Sequence, residues 1–104
     1  MDMDYLRNLV LDNKLEFSTH ALLRMEQRGI TDADIAETIL TGKIIEEYPD
    51  DWPFPSCLIV RSLFRGRPLH TVIGCGEDEL VVITAYYPDP EYWDETFEHR
   101  REKP

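Results

Sequence analysis

The sequence predicts an α+β fold, with N-terminal helices packed on a four-stranded antiparallel sheet. Three observations carry that expectation. Apolar residues recur at helical spacing through the first forty positions and then change to short, nearly continuous apolar runs. Glycine and proline punctuate the second half at short intervals, as turns between strands do. Helices followed by strands, rather than alternating with them, form separate layers. At 104 residues the chain suits one small domain, spanning 1–104 with its core from about residue 17 to residue 93.

Each element has its own signal. Met3, Leu6, Leu9 and Val10 predict a first helix over Asp2 to Leu11, ended by Asp12-Asn13. Ser18 or Thr19 can cap a second helix that runs to Arg28, with Gly29 as its left-handed stop and Ile30 as the apolar partner of that stop. Thr31-Asp32-Ala33-Asp34 is a capping residue with acids in the first turn. Ile35, Ile39 and Leu40 give the third helix its stripe, and Gly42 is expected to end it as Gly29 ends the second. Lys43 to Tyr48 is a short strand. Asp50 to Pro55 is loop, because its prolines lack an amide donor. Cys57 to Phe64 and Pro68 to Cys75 are strands joined at Arg65-Gly66, and Leu80 to Tyr87 is the last and most apolar. Strict alternation places Leu80, Val82, Thr84 and Tyr86 opposite Val81, Ile83, Ala85 and Tyr87. Tyr87 to Pro90 breaks that strand. The remaining residues are charged, with a short helix expected around Tyr92 to Arg101 and a frayed end over 94–104.

The formal net charge of -10 argues against general attraction to nucleic acid, and no DNA contact is predicted directly. The charge is uneven, however. From Ser56 to Gly76 there is no acidic residue, while Arg61, Arg65, Arg67 and His70 all occur, so a local basic surface on an acidic body is compatible with the sequence. No signal-peptide pattern opens the chain and no apolar run approaches the ~20 residues that span a bilayer, which predicts a cytoplasmic protein without membrane contact. Cys57 and Cys75 lie in apolar runs and are expected as reduced core thiols. No zinc spacing, phosphate loop or nucleophile elbow is present, so no metal or cofactor is expected.

The stretch FSTHALLRMEQRGI aligns His20, Arg24 and Arg28 at intervals of four, one oblique stripe along the second helix. Such a stripe is either a solvated helix edge or one wall of an anion site, since guanidinium forks suit phosphate. Arg61 and His70, set in apolar strands, require partners or a wet groove. His70 is the better acid/base candidate, because a strand holds its side chain rigidly. His20 opens a helix whose dipole favours the neutral ring. Tyr86 and Tyr87 could border a ligand groove, and Trp93 is expected to fold back over the sheet edge.

Taken together, His20-Ala21, Arg24-Met25, Gln27-Arg28-Gly29-Ile30, Gly66-Arg67-Pro68-Leu69-His70, and Ile83-Thr84-Ala85-Tyr86-Tyr87-Pro88-Asp89 with Trp93 resemble the bacterial domain-of-unknown-function family 4258. That family is similar in fold to the RelE-like toxin superfamily, which includes the MqsR and BrnT ribonuclease toxins. The resemblance implies a toxin-like, metal-independent endoribonuclease or a degenerate relative, the toxin half of a toxin–antitoxin pair, with RNA and an antitoxin protein as partners. It implies phosphate contacts from Arg24, Arg28 and Arg61. His70, or His20, would act as general acid or base, and Tyr86 would position the substrate. The acidic balance supports a reading of another class, a non-enzymatic protein-binding module that uses the aromatic sheet face.

Overall fold

A computed structural model describes residues 1–102. Helix α1 (Met3–Leu11) starts where the Asp2 carboxylate accepts the Asp4 N–H. Helix α2 (Thr19–Arg28) starts at Ser18, whose hydroxyl accepts the Ala21 N–H at 3.0 Å. It ends as expected: Gly29 has φ +68°, and the N–H groups of Gly29 and Ile30 close on the carbonyls of Glu26 and Met25. Helix α3 (Asp32–Thr41) opens with a full capping box, Thr31 and Asp34 each accepting the other's backbone N–H.

Its end corrects the sequence expectation. Gly42 is extended, with φ -93° and ψ -166°, and makes no left-handed stop. Glycine is required there for room: a Cβ would overlap the carbonyl oxygens of Val60 and Thr38. The orphan carbonyls of this helix end are met by Arg7 of α1, which donates to Gly42 O at 2.9 Å and to Ile39 O at 3.3 Å.

The sheet also corrects the expectation. It has five strands and is mixed, in the order β1-β5-β4-β3-β2. The additional strand β1 (Leu15–Phe17) lies between α1 and α2 and pairs parallel with β5 (Leu80–Tyr86), Leu15 opposite Leu80 and Phe17 opposite Val82. It is three residues long, so its Leu-Glu-Phe alternation was its only strand signal. Strands β2 (Lys43–Tyr48), β3 (Ser56–Val60) and β4 (His70–Cys75) complete the antiparallel part. The expected strand Cys57 to Phe64 stops at Val60, because Ser62 caps a short 3₁₀ turn over Leu63–Arg65. Helices cover one face only. Leu6, Met25, Ile35 and Ile39 pack there on Cys57, Ile59, Ile73, Val82 and Ala85.

Among the described residues, none after Tyr86 is helical. After Tyr86 the chain turns back across the other face as a strap. Asp94 Oδ1 accepts N–H groups from Thr96, Glu98 and His99, and a single bridge joins Trp93 to Arg100. The expected fraying extends to Lys103 and Pro104, which lie outside the described residues.

The two glycines give opposite expectations for alanine. Gly29→Ala keeps open space around the new methyl but holds a left-handed residue, a loss of about 1–2 kcal/mol. Gly42→Ala forces backbone apart and should cost at least about 3 kcal/mol. Urea denaturation of both variants checks the order.

Candidate functional site

Two bulges decide what stands on the helix-free face. In β5 the register passes from Val72↔Thr84 to Ile73↔Val82, leaving Ile83 unpaired. In β2 it passes from Ile44↔Ile59 to Glu46↔Leu58, leaving Ile45 unpaired. Each extra residue reverses the alternation. Ala85 therefore faces the helices with Val82, while Thr84 and Tyr86 face away, and Glu46 and Tyr48 join them. The strict alternation expected for the last strand fails at this point. Between β3 and β4 the register is unbroken: His70 shares its face with Val72, and Arg61, just past the end of β3, points the other way with Cys57 and Ile59.

His70 opens β4, the middle strand of the sheet, and is fully buried. Its Nε2 lies 2.8 Å from the Phe97 carbonyl, which can only accept, so the proton is on Nε2. Nδ1 is then free to accept from the Tyr86 hydroxyl at 3.3 Å. The Trp93 indole, 4% exposed, closes edge-on over the imidazole at a centroid distance of 4.5 Å, as the aromatic segment predicted. Burial pushes the His70 pKa below its ordinary value, against the raising effect of the Phe97 bond and Glu46. Phe97 holds φ +60°, a costly conformation for a bulky residue, and that backbone carries the carbonyl His70 uses.

The strap is tied to β2. Arg100 makes a two-pronged pair with Glu46 at 2.8 and 3.0 Å, lies over Trp93 at 4.8 Å, and is joined by Lys43–Glu98 at 2.6 Å. Arg100 holds the Glu46 carboxyl below the usual carboxylate range. Burial and the Glu46 carboxylate push the Tyr48 phenol up to about 12.

The predicted site residues separate into three places. His70 and Tyr86 are joined beneath the strap. Arg61 lies across the sheet, 6% exposed, pairing with Asp34 at 3.1 Å and Glu37 at 3.7 Å and donating to the Arg67 carbonyl at 2.6 Å. Arg28 reaches the Ala85 carbonyl at 2.7 Å, and Arg24 bonds Gln27 at 3.0 Å on its own helix. His20 is exposed at the start of α2. The stripe therefore does not converge with His70. Arg67, absent from the predicted set, stacks at 3.7 Å over Tyr87. Glu46, Tyr48 and Arg100 were also missed, because a bulge and a strap leave no local pattern.

Beyond the strap this face is open. Trp52, 91% exposed, with Pro53 and Phe54, rims a cavity of about 130 Å³ floored by Gly74, Val81 and Ile83. Its loop is fastened by the Ser56 hydroxyl on Asp51 and by Cys75 N–H on the Pro55 carbonyl at 2.7 Å. Among the described residues, no helix is long and apolar enough to cross a membrane, and no group of three His, Cys, Asp or Glu side chains is placed to hold a metal ion.

Fold and site define an α+β protein with a five-stranded mixed sheet, helices on one face and a chain-terminal strap on part of the other. The sequence model of the family described as Domain of unknown function (DUF4258) matches residues 17–87, and the chain belongs to that family. The match ends at Tyr87, so the strap lies beyond it. Comparison with curated proteins and with solved structures gives no match.

His70 makes stability depend on pH in a definite direction. Its folded pKa lies below the unfolded value near 6.5, so the unfolded chain binds the proton more readily. The stabilisation is complete above about pH 6.5 and is lost as pH falls through the folded pKa. Urea midpoints should fall between pH 7.5 and pH 5.5 for the wild type, and the fall should be smaller for His70→Gln. The carboxylates with lowered values, Asp34 and Glu46, act in the same direction at lower pH.

Proposed function

We propose that this chain is a protein-binding module whose docking face is the open half of the helix-free sheet face. The observation that carries this reading is Trp52, an indole 91% exposed beside a small apolar cavity, on a loop fastened at its end. Tryptophan in such a setting is the commonest kind of binding anchor. Asp50, Asp51 and Glu77 to Glu79 flank the patch in sequence, and the chain carries net charge -10, so the partner of this chemistry presents an apolar cleft with a basic rim. An antitoxin protein is a partner of this kind. Co-expression with the product of the adjacent gene, followed by titration of the purified pair, tests it. Trp52→Ala should weaken the complex at least about 30-fold while leaving the urea midpoint unchanged. Wild-type affinity in Trp52→Ala and Phe54→Ala would sink the reading.

A second reading rests on a separate observation. His70, Tyr86, Glu46 and Arg100 bring an imidazole, a phenol, a carboxylate and a guanidinium to one sheet face. That set supports a toxin-like, metal-independent endoribonuclease, RelE-like in kind, with His70 as acid or base and Tyr86 positioning the ribose. Arg24, Arg28 and Arg61 would then contact more distant phosphates, and His20 would remain outside the reacting centre. The strap must lift for RNA to reach His70. In this reading the purified protein cuts RNA in excess EDTA, and His70→Gln lowers the rate at least about 100-fold. A wild type that neither cuts RNA nor slows growth would remove it.

A further inference from the structure

The loop between β3 and β4 is braced so that its tip projects. The Arg61 N–H donates to the Leu69 carbonyl at 2.9 Å and closes its base. The Arg61 guanidinium donates to the Arg67 carbonyl at 2.6 Å and holds the returning limb. Ser62 starts the turn Leu63–Arg65, and the Arg65 N–H returns to the Ser62 carbonyl at 3.0 Å. At the tip Phe64 is 99% exposed, with Leu63 and Arg65 exposed on either side. Arg67 is engaged by Tyr87, whereas Arg65 pairs with no carboxylate among the described residues. A single exposed aromatic needs no partner on its own account. Here the same molecule carries its complement.

That complement is a cavity of about 830 Å³ at the other end of the sheet. Phe54 and Pro55 give it an apolar wall. Glu16, Glu77, Asp78 and Glu79 line it with four carboxylates against one ammonium, that of Lys14. None of the four carboxylates meets a cation at ion-pair distance among the described residues. The walls are pinned by backbone. The Tyr5 hydroxyl donates to the Gly76 carbonyl at 3.1 Å, and the Gly76 N–H donates to the Glu79 carbonyl at 3.0 Å. The Leu80 N–H donates to the Lys14 carbonyl at 3.0 Å.

We propose that the Phe64–Arg65 tip of one molecule seats in this cavity of a second copy of the chain. Phe64 meets Phe54 and Pro55, and the Arg65 guanidinium meets the carboxylates of the Glu77–Glu79 turn. Both parts are held in shape before contact, so little ordering opposes it. The register fixes the direction of assembly. Val60 pairs with His70 at the start of β4 and Cys75 with Leu80 at its end, so loop and cavity lie at opposite ends of that strand. Six strand residues separate them by about 17 Å. A molecule bound through its loop therefore keeps its own cavity free. The contact is heterologous and grows head to tail instead of closing as a two-fold dimer. The charge of -10 on every copy opposes growth and keeps the assembly weak. Trp52 lines the smaller cavity and takes no part in this contact, so the inference stands apart from the docking face.

The test is sedimentation velocity of the wild type over roughly 10 μM to 1 mM, the range in which a contact this small assembles. The expected result is an average mass that climbs through the dimer without levelling there. Amide resonances of residues 63–67 and 76–79 should shift on dilution, a readout that needs no variant. Phe64→Ala combined with Arg65→Ala should weaken assembly at least about 10-fold, as should Glu77→Lys combined with Glu79→Lys. An equimolar mixture of these two variants should form a dimer and stop, because each pair holds one intact loop and one intact cavity. Trp52→Ala should assemble as the wild type does. A monomer at every concentration would leave the cavity to a different basic partner and overturn the proposal. So would a dimer that neither pair of substitutions weakens, dilution shifts confined to other residues, or loss of assembly in Trp52→Ala. A mixture that stays monomeric, with both variants at the wild-type urea midpoint, would overturn it equally.

Discussion

One unpaired residue, Ile83, sets the arrangement of everything around β5. A strand with strict alternation would send Thr84 and Tyr86 into the helices with Val82 and turn Ala85 outward. The bulge reverses that phase halfway along. Ala85 then fits under α2, where a larger group would hold the helix off the sheet, and its carbonyl receives Arg28. Tyr86 emerges beside His70 on the opposite face. Ile83 itself is left 39% exposed on the half of that face the strap does not reach. The bulge thus divides one sheet face into a closed polar cluster and an open apolar patch.

The strongly acidic balance has a structural counterpart. Several of the cations are committed to internal partners. Arg7 meets the carbonyl end of α3, Arg28 meets β5, and Arg61 ties the N-terminus of α3 to the turn before β4. Arg61 is the costliest of these, because removing Asp34 would leave a buried guanidinium short of a partner. Its position also weakens the stripe as an anion site: of the predicted phosphate contacts, only Arg24 keeps its guanidinium on a helix surface. The apolar patch carries no such commitments, and this is the physical reason that we propose protein binding ahead of RNA cleavage.

Much of this architecture was legible in the sequence, and the part that was not has a common cause. Local chemistry read correctly: the Ser18 and Thr31 caps, the left-handed Gly29 and the closure of Trp93 each depend on a few adjacent residues. Strand β1 did not read, because three residues carry too little periodicity. Gly42 read rightly as the end of α3 but wrongly as a left-handed stop, because the Val60 carbonyl that excludes its Cβ lies far along the chain. The site was half legible. His70 and Tyr86 were found as single residues, but Glu46 and Arg100 could not be joined to them without knowing that two bulges and a returning strap bring them to one face.

The closed cluster and the strap are held by forces of different kinds, and this governs how the strap can open. Its ion pairs, Lys43–Glu98 and Arg100–Glu46, involve side chains about 60% exposed on the basic side, and such pairs contribute little. Burial of Trp93 contributes more, about 2–3 kcal/mol for an aromatic side chain taken out of water. Against it stands the left-handed Phe97, at about 1–2 kcal/mol. The strap is therefore fastened mainly by one indole and one imidazole hydrogen bond, with a stability well below that of the sheet it covers. Protonating His70 leaves the Nε2 bond to Phe97 intact but places a second proton on Nδ1, facing the hydroxyl hydrogen of Tyr86. Tyr86 must then turn from donor to acceptor beneath a ring it helps to bury. The same contact that hides His70 from solvent thus makes its burial sensitive to acid, so the hold of the strap on this face and the protonation of His70 are linked.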